Sequence, residues 1–242
     1  MAELASGALT RVTSGGSHAS PAWSADGQRL FFASRTSISG PSGGAFGIAS
    51  RGVADRAATE ASTRAGTHLF PSSAASDGRL AVTATLPSGR TAVGIIPAGG
   101  HASQLALLSD GPFDEAAPAF SPDGKWLALE SDESGRTEIV LRNLADGRRF
   151  ALSTDGGARP RWSADGRAVY FDAGRRLMRA AVNPLEKPAA VFDRVGARVL
   201  AVTPSGRILT EDQPSSGDPA RVVLHWLREL RQRLPLPVTA PR

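Results

Sequence analysis

One short phrase, written five times, constrains what this chain can fold into more than any other feature. It reads Pro21-Ala22-Trp23-Ser24-Ala25-Asp26-Gly27, then Pro118-Ala119-Phe120-Ser121-Pro122-Asp123-Gly124, then Pro160-Arg161-Trp162-Ser163-Ala164-Asp165-Gly166. Looser copies run from Pro71 to Gly78 and from Val202 to Gly206. The residue before each turn glycine falls at 26, 77, 123, 165 and 205, so successive copies stand 51, 46, 42 and 40 residues apart. A period of about 40 to 50 residues is that of propeller blades, whose sheets bury their faces only by stacking on neighbours.

Each turn lies between β-type runs. Arg29 to Ser34, Leu80 to Thr85, Trp126 to Glu130, Ala168 to Asp172 and Ile208 to Glu211 follow it directly, and Asp-Gly between such runs signals a hairpin because glycine takes the positive φ of the turn. Further runs come next: Ala45 to Ser50, Ala92 to Ile96, Glu138 to Arg142, Leu177 to Val182 and Arg221 to Trp226. Gln104 to Leu108 and Arg149 to Ser153 close two of the units. The reading is an all-β propeller of four-stranded antiparallel blades, five of them visible. Trp23, Phe120 and Trp162 hold one repeat position and are expected to pack between blades, each removing about 150 to 250 Å² from water. Phe31, Leu80, Leu127, Val169 and Ile208, or their neighbours, are expected to fill the second strand's inward face.

Composition excludes several functions. With no cysteine, thiol catalysis and cysteine zinc sites are ruled out, and 41% hydrophobic residues suffice for a core. The net charge of +5 raises nucleic acid as a partner, yet the 28 basic residues include only two lysines, Lys125 and Lys187, and the arginines are scattered without interleaved aromatics. No nucleic-acid role is expected. Met1 to Gly7 carries no charged-then-apolar leader pattern, and no run of about 18 apolar residues occurs, so membrane insertion by this chain is not expected.

The form P-x-W-S-x-D-G, followed by alternating apolar residues, resembles the bacterial WD40-like repeat of the TolB type, over roughly residues 8–226. The same repeat builds TolB propellers and the amino-terminal propellers of prolyl-oligopeptidase-like enzymes. Arg221-Val222-Val223-Leu224-His225-Trp226-Leu227-Arg228-Glu229-Leu230 resembles the ending that follows such propellers in large bacterial serine/threonine protein kinases, with His225 where that ending usually has Asn. The resemblance implies a propeller over 1–226, a short amphipathic helix and Pro-rich tail over 227–242, and a periplasmic or extracytoplasmic sensor. The kinase motifs themselves are absent from the sequence, so no phosphoryl transfer is expected of it. Gly40-Pro41-Ser42-Gly43-Gly44 spells G-x-S-x-G, but Ser42 sits in a Ser/Gly/Pro loop rather than on a strand-to-helix elbow.

The expected function is a noncatalytic module that binds a protein or peptide partner or senses a ligand. A propeller lyase or hydrolase, or the propeller fragment of a prolyl-oligopeptidase-like protein, is the alternative. The expected binding surface is the set of loops leading into the innermost strands: Gly16 to Ser20, Thr67 to Pro71, Pro112 to Pro118 and Gly156 to Pro160. His18 and His68 each precede a phrase proline by three residues, as does Glu115, although His68 shifts by one when counted from Asp77. These three are read as solvated loop residues rather than a metal site, and neither metal nor cofactor is expected. Arg159, Arg161 and Arg198 would favour an acidic partner. An orphan run, Ala8 to Thr13, either completes the last blade or belongs to a blade upstream, leaving five or six blades open.

Overall fold

The computed structural model describes residues 11–13, 15–35, 44–55, 57–59, 61–109, 111–182 and 187–191 with their side chains, and the backbone of 192–193, 197–202, 208–212 and 222–223. Five antiparallel sheets follow one another along the chain. The first blade holds β1 (Ser17–Trp23), β2 (Arg29–Arg35) and β3 (Gly47–Gly52). The second holds β4 (His68–Ala74), β5 (Leu80–Thr85), β6 (Thr91–Ile96) and β7 (Ala106–Leu107). The third holds β8 (Glu115–Phe120), β9 (Trp126–Ser131), β10 (Glu138–Asn143) and β11 (Arg149–Ala151). The fourth holds β12 (Ala158–Trp162), β13 (Ala168–Ala173), β14 (Arg176–Ala181) and β15 (Ala189–Asp193). The fifth holds β16 (Ala197–Val202), β17 (Ile208–Asp212) and β18 (Val222–Val223). Within each sheet the strands pair in sequence order, and the innermost strands β1, β4, β8, β12 and β16 neighbour one another in turn, as in a propeller.

The repeated phrase builds the first hairpin of each blade. In Ser24-Ala25-Asp26-Gly27 the serine hydroxyl donates to Asp26 Oδ1 at 2.5 Å, and the same carboxylate oxygen accepts the Gln28 N–H at 3.0 Å. Ser121 with Asp123 and Ser163 with Asp165 repeat this at 2.6 Å. Gly27, Gly124 and Gly166 close the turns at φ 69°, 68° and 69°, the left-handed region that a side chain enters at a cost.

The phrase proline explains the other half of the repeat. In β1, β8 and β12 two residues of the inner strand face one of its partner, and the second of the two is Pro21, Pro118 or Pro160. A bulge leaves its extra residue unpaired, so a proline without an N–H costs no ladder bond there. The first residue of each pair, Ser20, Ala117 or Arg159, takes φ 50°, 49° or 53°.

The core lies between blades. Ile48 and Phe31 of the first blade pack with Leu69, Leu80 and Val82 of the second, and Ala128, Ile139 and Leu141 of the third pack with Val169 and Phe171 of the fourth. Burying Phe171 completely is worth about 1.5–3 kcal/mol. Polar ties cross the same seams. Trp162 Nε1 donates to Ala119 O at 3.0 Å, and Arg79 Nη2 to Gly124 O at 2.8 Å.

One expectation about the core needs correction. Trp23 is 44% exposed, whereas its counterparts Phe120 and Trp162 are buried and half-buried. In the first blade Phe31 packs against the interblade core, and its neighbour Phe32 is buried. The expected helix of 227–242, Ser42 and His225 lie outside the described residues. Among the described residues no helix is long and apolar enough to cross a membrane.

Candidate binding site at the central channel

The innermost strands of the first four blades and the turns that follow them line an open central cavity of about 830 Å³. Apart from Phe120 and Trp162, its uncharged lining is small, with Ser20, Ser72, Ala117 and Pro118 among it. Among the described residues that line it, the charged side chains are Arg159 and Arg161. Both come from the variable positions of one phrase, Ala158-Arg159-Pro160-Arg161 on β12.

Arg159 is held on three sides. Its left-handed backbone turns the N–H toward the preceding blade, where Glu130 Oε1 accepts it at 2.6 Å. Its Nε donates to Asp172 Oδ2 at 2.6 Å, and Asp172 is 3% exposed. Its carbonyl accepts from Arg161 Nη1 at 2.9 Å. Ala117, one blade earlier, turns its N–H to Thr83 Oγ1 at 3.0 Å in the same way. Non-glycine residues in this conformation persist only where surroundings hold them, and such residues cluster at functional sites.

Glu130 and Asp172 were missed as site residues. They occupy one register position, pairing with Ala116 and Ala158 respectively. The available signal was a carboxylate ending an otherwise apolar run, Leu127-Ala128-Leu129-Glu130 and Val169-Tyr170-Phe171-Asp172. Arg198 pairs with Glu211 in the fifth blade, at the register position of Ala158 rather than that of Arg159.

His18, His68 and Glu115 do not form a set. They lie on the strands themselves, not on loops leading to them, as do most of the residues in the four expected loops. His18 pairs with Ser34 and Glu115 with Ser131, an equivalent place in two blades, but His68 pairs with Thr85, one residue along. A shift of one residue sends a side chain to the opposite face of the sheet. His18 Nε2 lies 2.6 Å from Gly15 O with its ring edge-on to Phe32, and His68 Nδ1 accepts the Phe46 N–H at 3.3 Å. Glu115, expected to be solvated, is fully buried and bonded to Arg149 and Ser109. Among the described residues no group of three or more acidic or histidine side chains is placed to hold a metal ion.

No protein-family model matches the chain. Among solved structures it resembles a TolB-type protein from Agrobacterium tumefaciens, at 20% identity and a TM-score of 0.66, over 86% of this chain and 76% of that one. TolB from Acinetobacter baumannii matches at 19% identity and a TM-score of 0.62, over 85% of this chain and 56% of that one. The fold is a TolB-like β-propeller. An oligogalacturonate lyase in complex with manganese shares it at 13% identity and a TM-score of 0.64, over 89% of this chain and 64% of that one. The TolB-like propeller thus occurs beside enzymes of the same architecture, and function has to be argued from the site.

Proposed function

We propose that this chain is a noncatalytic propeller that captures an acidic segment of a protein or peptide partner at the central channel, with Arg161 as the contacting charge and Arg159 as its positioner. One observation carries the reading: the only charges on an otherwise uncharged channel wall, among its described residues, are two guanidiniums. A guanidinium offers a rigid fork of donors suited to carboxylates, and low-dielectric walls focus its field into the cavity. The ending over Arg221 to Leu230 supports a placement outside the cytoplasm, as the sensing part of a receptor-type serine/threonine kinase.

The test is Arg161→Glu against an acidic probe, a hexaglutamate peptide, measured by calorimetry at low and physiological salt. Arg161→Glu is the informative change because Arg159 is committed to the buried Asp172. Binding is expected to weaken by about tenfold or more and to lose much of its salt dependence. Equal binding by both proteins, or none by the unmodified chain, rejects the reading. Turnover of a probe ester or glycan by the unmodified chain would replace it with an enzymatic one.

A further inference from the structure

The seam between the second and third blades holds a cation that the chain itself supplies. Arg79 Nε donates to Asp77 Oδ2 at 2.7 Å and its Nη2 to Gly124 O at 2.8 Å, while its Cζ lies 5.2 Å from the centre of the Phe120 ring. A carboxylate, a carbonyl and an aromatic ring thus meet one guanidinium, each suiting a different side of its chemistry.

The repeat builds the same wall in the next seam without that cation. Ala75 N–H donates to Arg79 O and Ser121 N–H to Trp126 O, both at 2.9 Å, so Trp126 stands in the third blade where Arg79 stands in the second. Gly78 and Gly124 close their turns alike, donating to Ala75 O and Ser121 O, which makes Asp123 the counterpart of Asp77. In the fourth blade Gly166 corresponds to Gly124 and Trp162 to Phe120. Asp123, Trp126, Trp162 and Gly166 all line one open cleft of about 530 Å³ between the third and fourth blades. Phe150 joins them, its ring 5.8 Å from that of Trp126.

The charges of this cleft are two carboxylates, Asp123 and Asp165. Each uses Oδ1 for its own turn: that of Asp123 accepts from Ser121 Oγ at 2.6 Å and Lys125 N–H at 3.1 Å, that of Asp165 from Ser163 Oγ at 2.6 Å and Arg167 N–H at 3.0 Å. Among the described residues neither Oδ2 has a hydrogen-bond partner, whereas Asp77 Oδ2 has Arg79. The serine hydroxyls hold both carboxyls below the ordinary 3.8, so both are anionic at neutral pH. Lys125 and Arg167 are exposed and do not line the cleft.

We propose that this cleft binds the arginine side chain of a partner peptide, whose guanidinium sits beside Asp123 and Trp162 as that of Arg79 sits beside Asp77 and Phe120. Trp126 and Phe150 give its alkyl stem an apolar flank. The cleft adjoins the channel cavity at Ser121, Pro122 and Trp162 but carries the opposite charge, so the inference does not rest on the acidic-partner reading.

The probe is a capped Gly-Arg-Gly peptide, titrated into the unmodified full chain while the indole N–H signals of its four tryptophans are followed by NMR. Saturable shifts of the Trp126 and Trp162 signals are expected, and the same peptide with neutral citrulline in place of arginine should bind about tenfold more weakly. Equal binding of the two peptides overturns the inference, as does the absence of a saturable shift at both indoles. Trp126→Arg gives the third blade the second blade's arrangement, with a guanidinium of the chain's own in the cleft, and this variant is expected to lose the peptide. Undiminished binding by a folded Trp126→Arg chain overturns the inference, and the citrulline comparison decides it if that variant does not fold.

Discussion

Arg149 Nη1 meets Glu115 Oε1 at 2.6 Å, joining the outermost strand of the third blade to its innermost one. Glu115 is fully enclosed, and its other oxygen accepts from Ser109 Oγ at 2.6 Å, so the pair also ties the third blade to the second. The Arg149 guanidinium lies 5.0 Å above the Phe113 ring and 3.1 Å from Glu133. Burying a carboxylate without such partners is costly.

Arg149→Ala is therefore expected to cost about 3–5 kcal/mol in urea unfolding, because it strands the Glu115 charge inside the protein. Glu115→Gln should cost less, since the amide still bonds to Ser109 and Arg149 keeps Glu133. Equal costs, or a loss below about 1 kcal/mol for Arg149→Ala, would contradict the pairing.

Arg159 and Asp172 make the second prediction. Asp172 is 3% exposed and the Arg159 side chain 42%, so solvent screens one end of the bond. A double-mutant cycle with Arg159→Ala and Asp172→Asn should give a coupling of about 1 kcal/mol, with the double variant more stable than the two single losses add up to. Strict additivity would show that the contact carries no energy.

The blade count and the hairpins were legible because they depend on local chemistry. Asp-Gly turns, a proline at a bulge and period-two alternation all speak within seven or eight residues. Leu80–Thr85 appears in the structure with the expected bounds for that reason. The site was only half legible. Arg159 and Arg161 were found because two arginines in the phrase break its small-residue pattern, but the carboxylates that position Arg159 lie 29 residues before it and 13 after it. His18, His68 and Glu115 looked alike by their distance from proline, yet Pro71 is the first residue of its blade's two-for-one bulge, whereas Pro21 and Pro118 are the second of theirs. Counting from the proline hides that difference, whereas counting back from Asp77 shows it, and it decides which face of the sheet His68 takes. Trp23 was misjudged because sequence identity at a repeat position does not determine how much of a neighbour covers it.

The repeated turns give the protein an acid limit whose sign can be worked out. Hydrogen bonds from Ser24, Ser121 and Ser163 are the largest influences holding Asp26, Asp123 and Asp165 below the ordinary aspartate value of 3.8, and the N–H groups of Gln28, Lys125 and Arg167 add to them. Asp77 and Asp146 are lowered chiefly by the N–H groups of Arg79 and Arg148. A carboxyl whose pKa is lower folded than unfolded adds stability that is complete above the unfolded value and disappears as the pH falls through the folded one. The urea midpoint should accordingly stay flat from about pH 7 to about pH 5 and fall below about pH 4. Replacing Asp26, Asp123 and Asp165 together by Asn keeps the turn geometry but removes the ionisation. That variant should be less stable than the unmodified chain at pH 7, and the gap should narrow as the pH falls below about 4 and the carboxyls take up protons. A gap that stays constant from pH 7 to pH 2 would mean that the turns act through shape alone, with no contribution from the charge their serines and backbone amides stabilise.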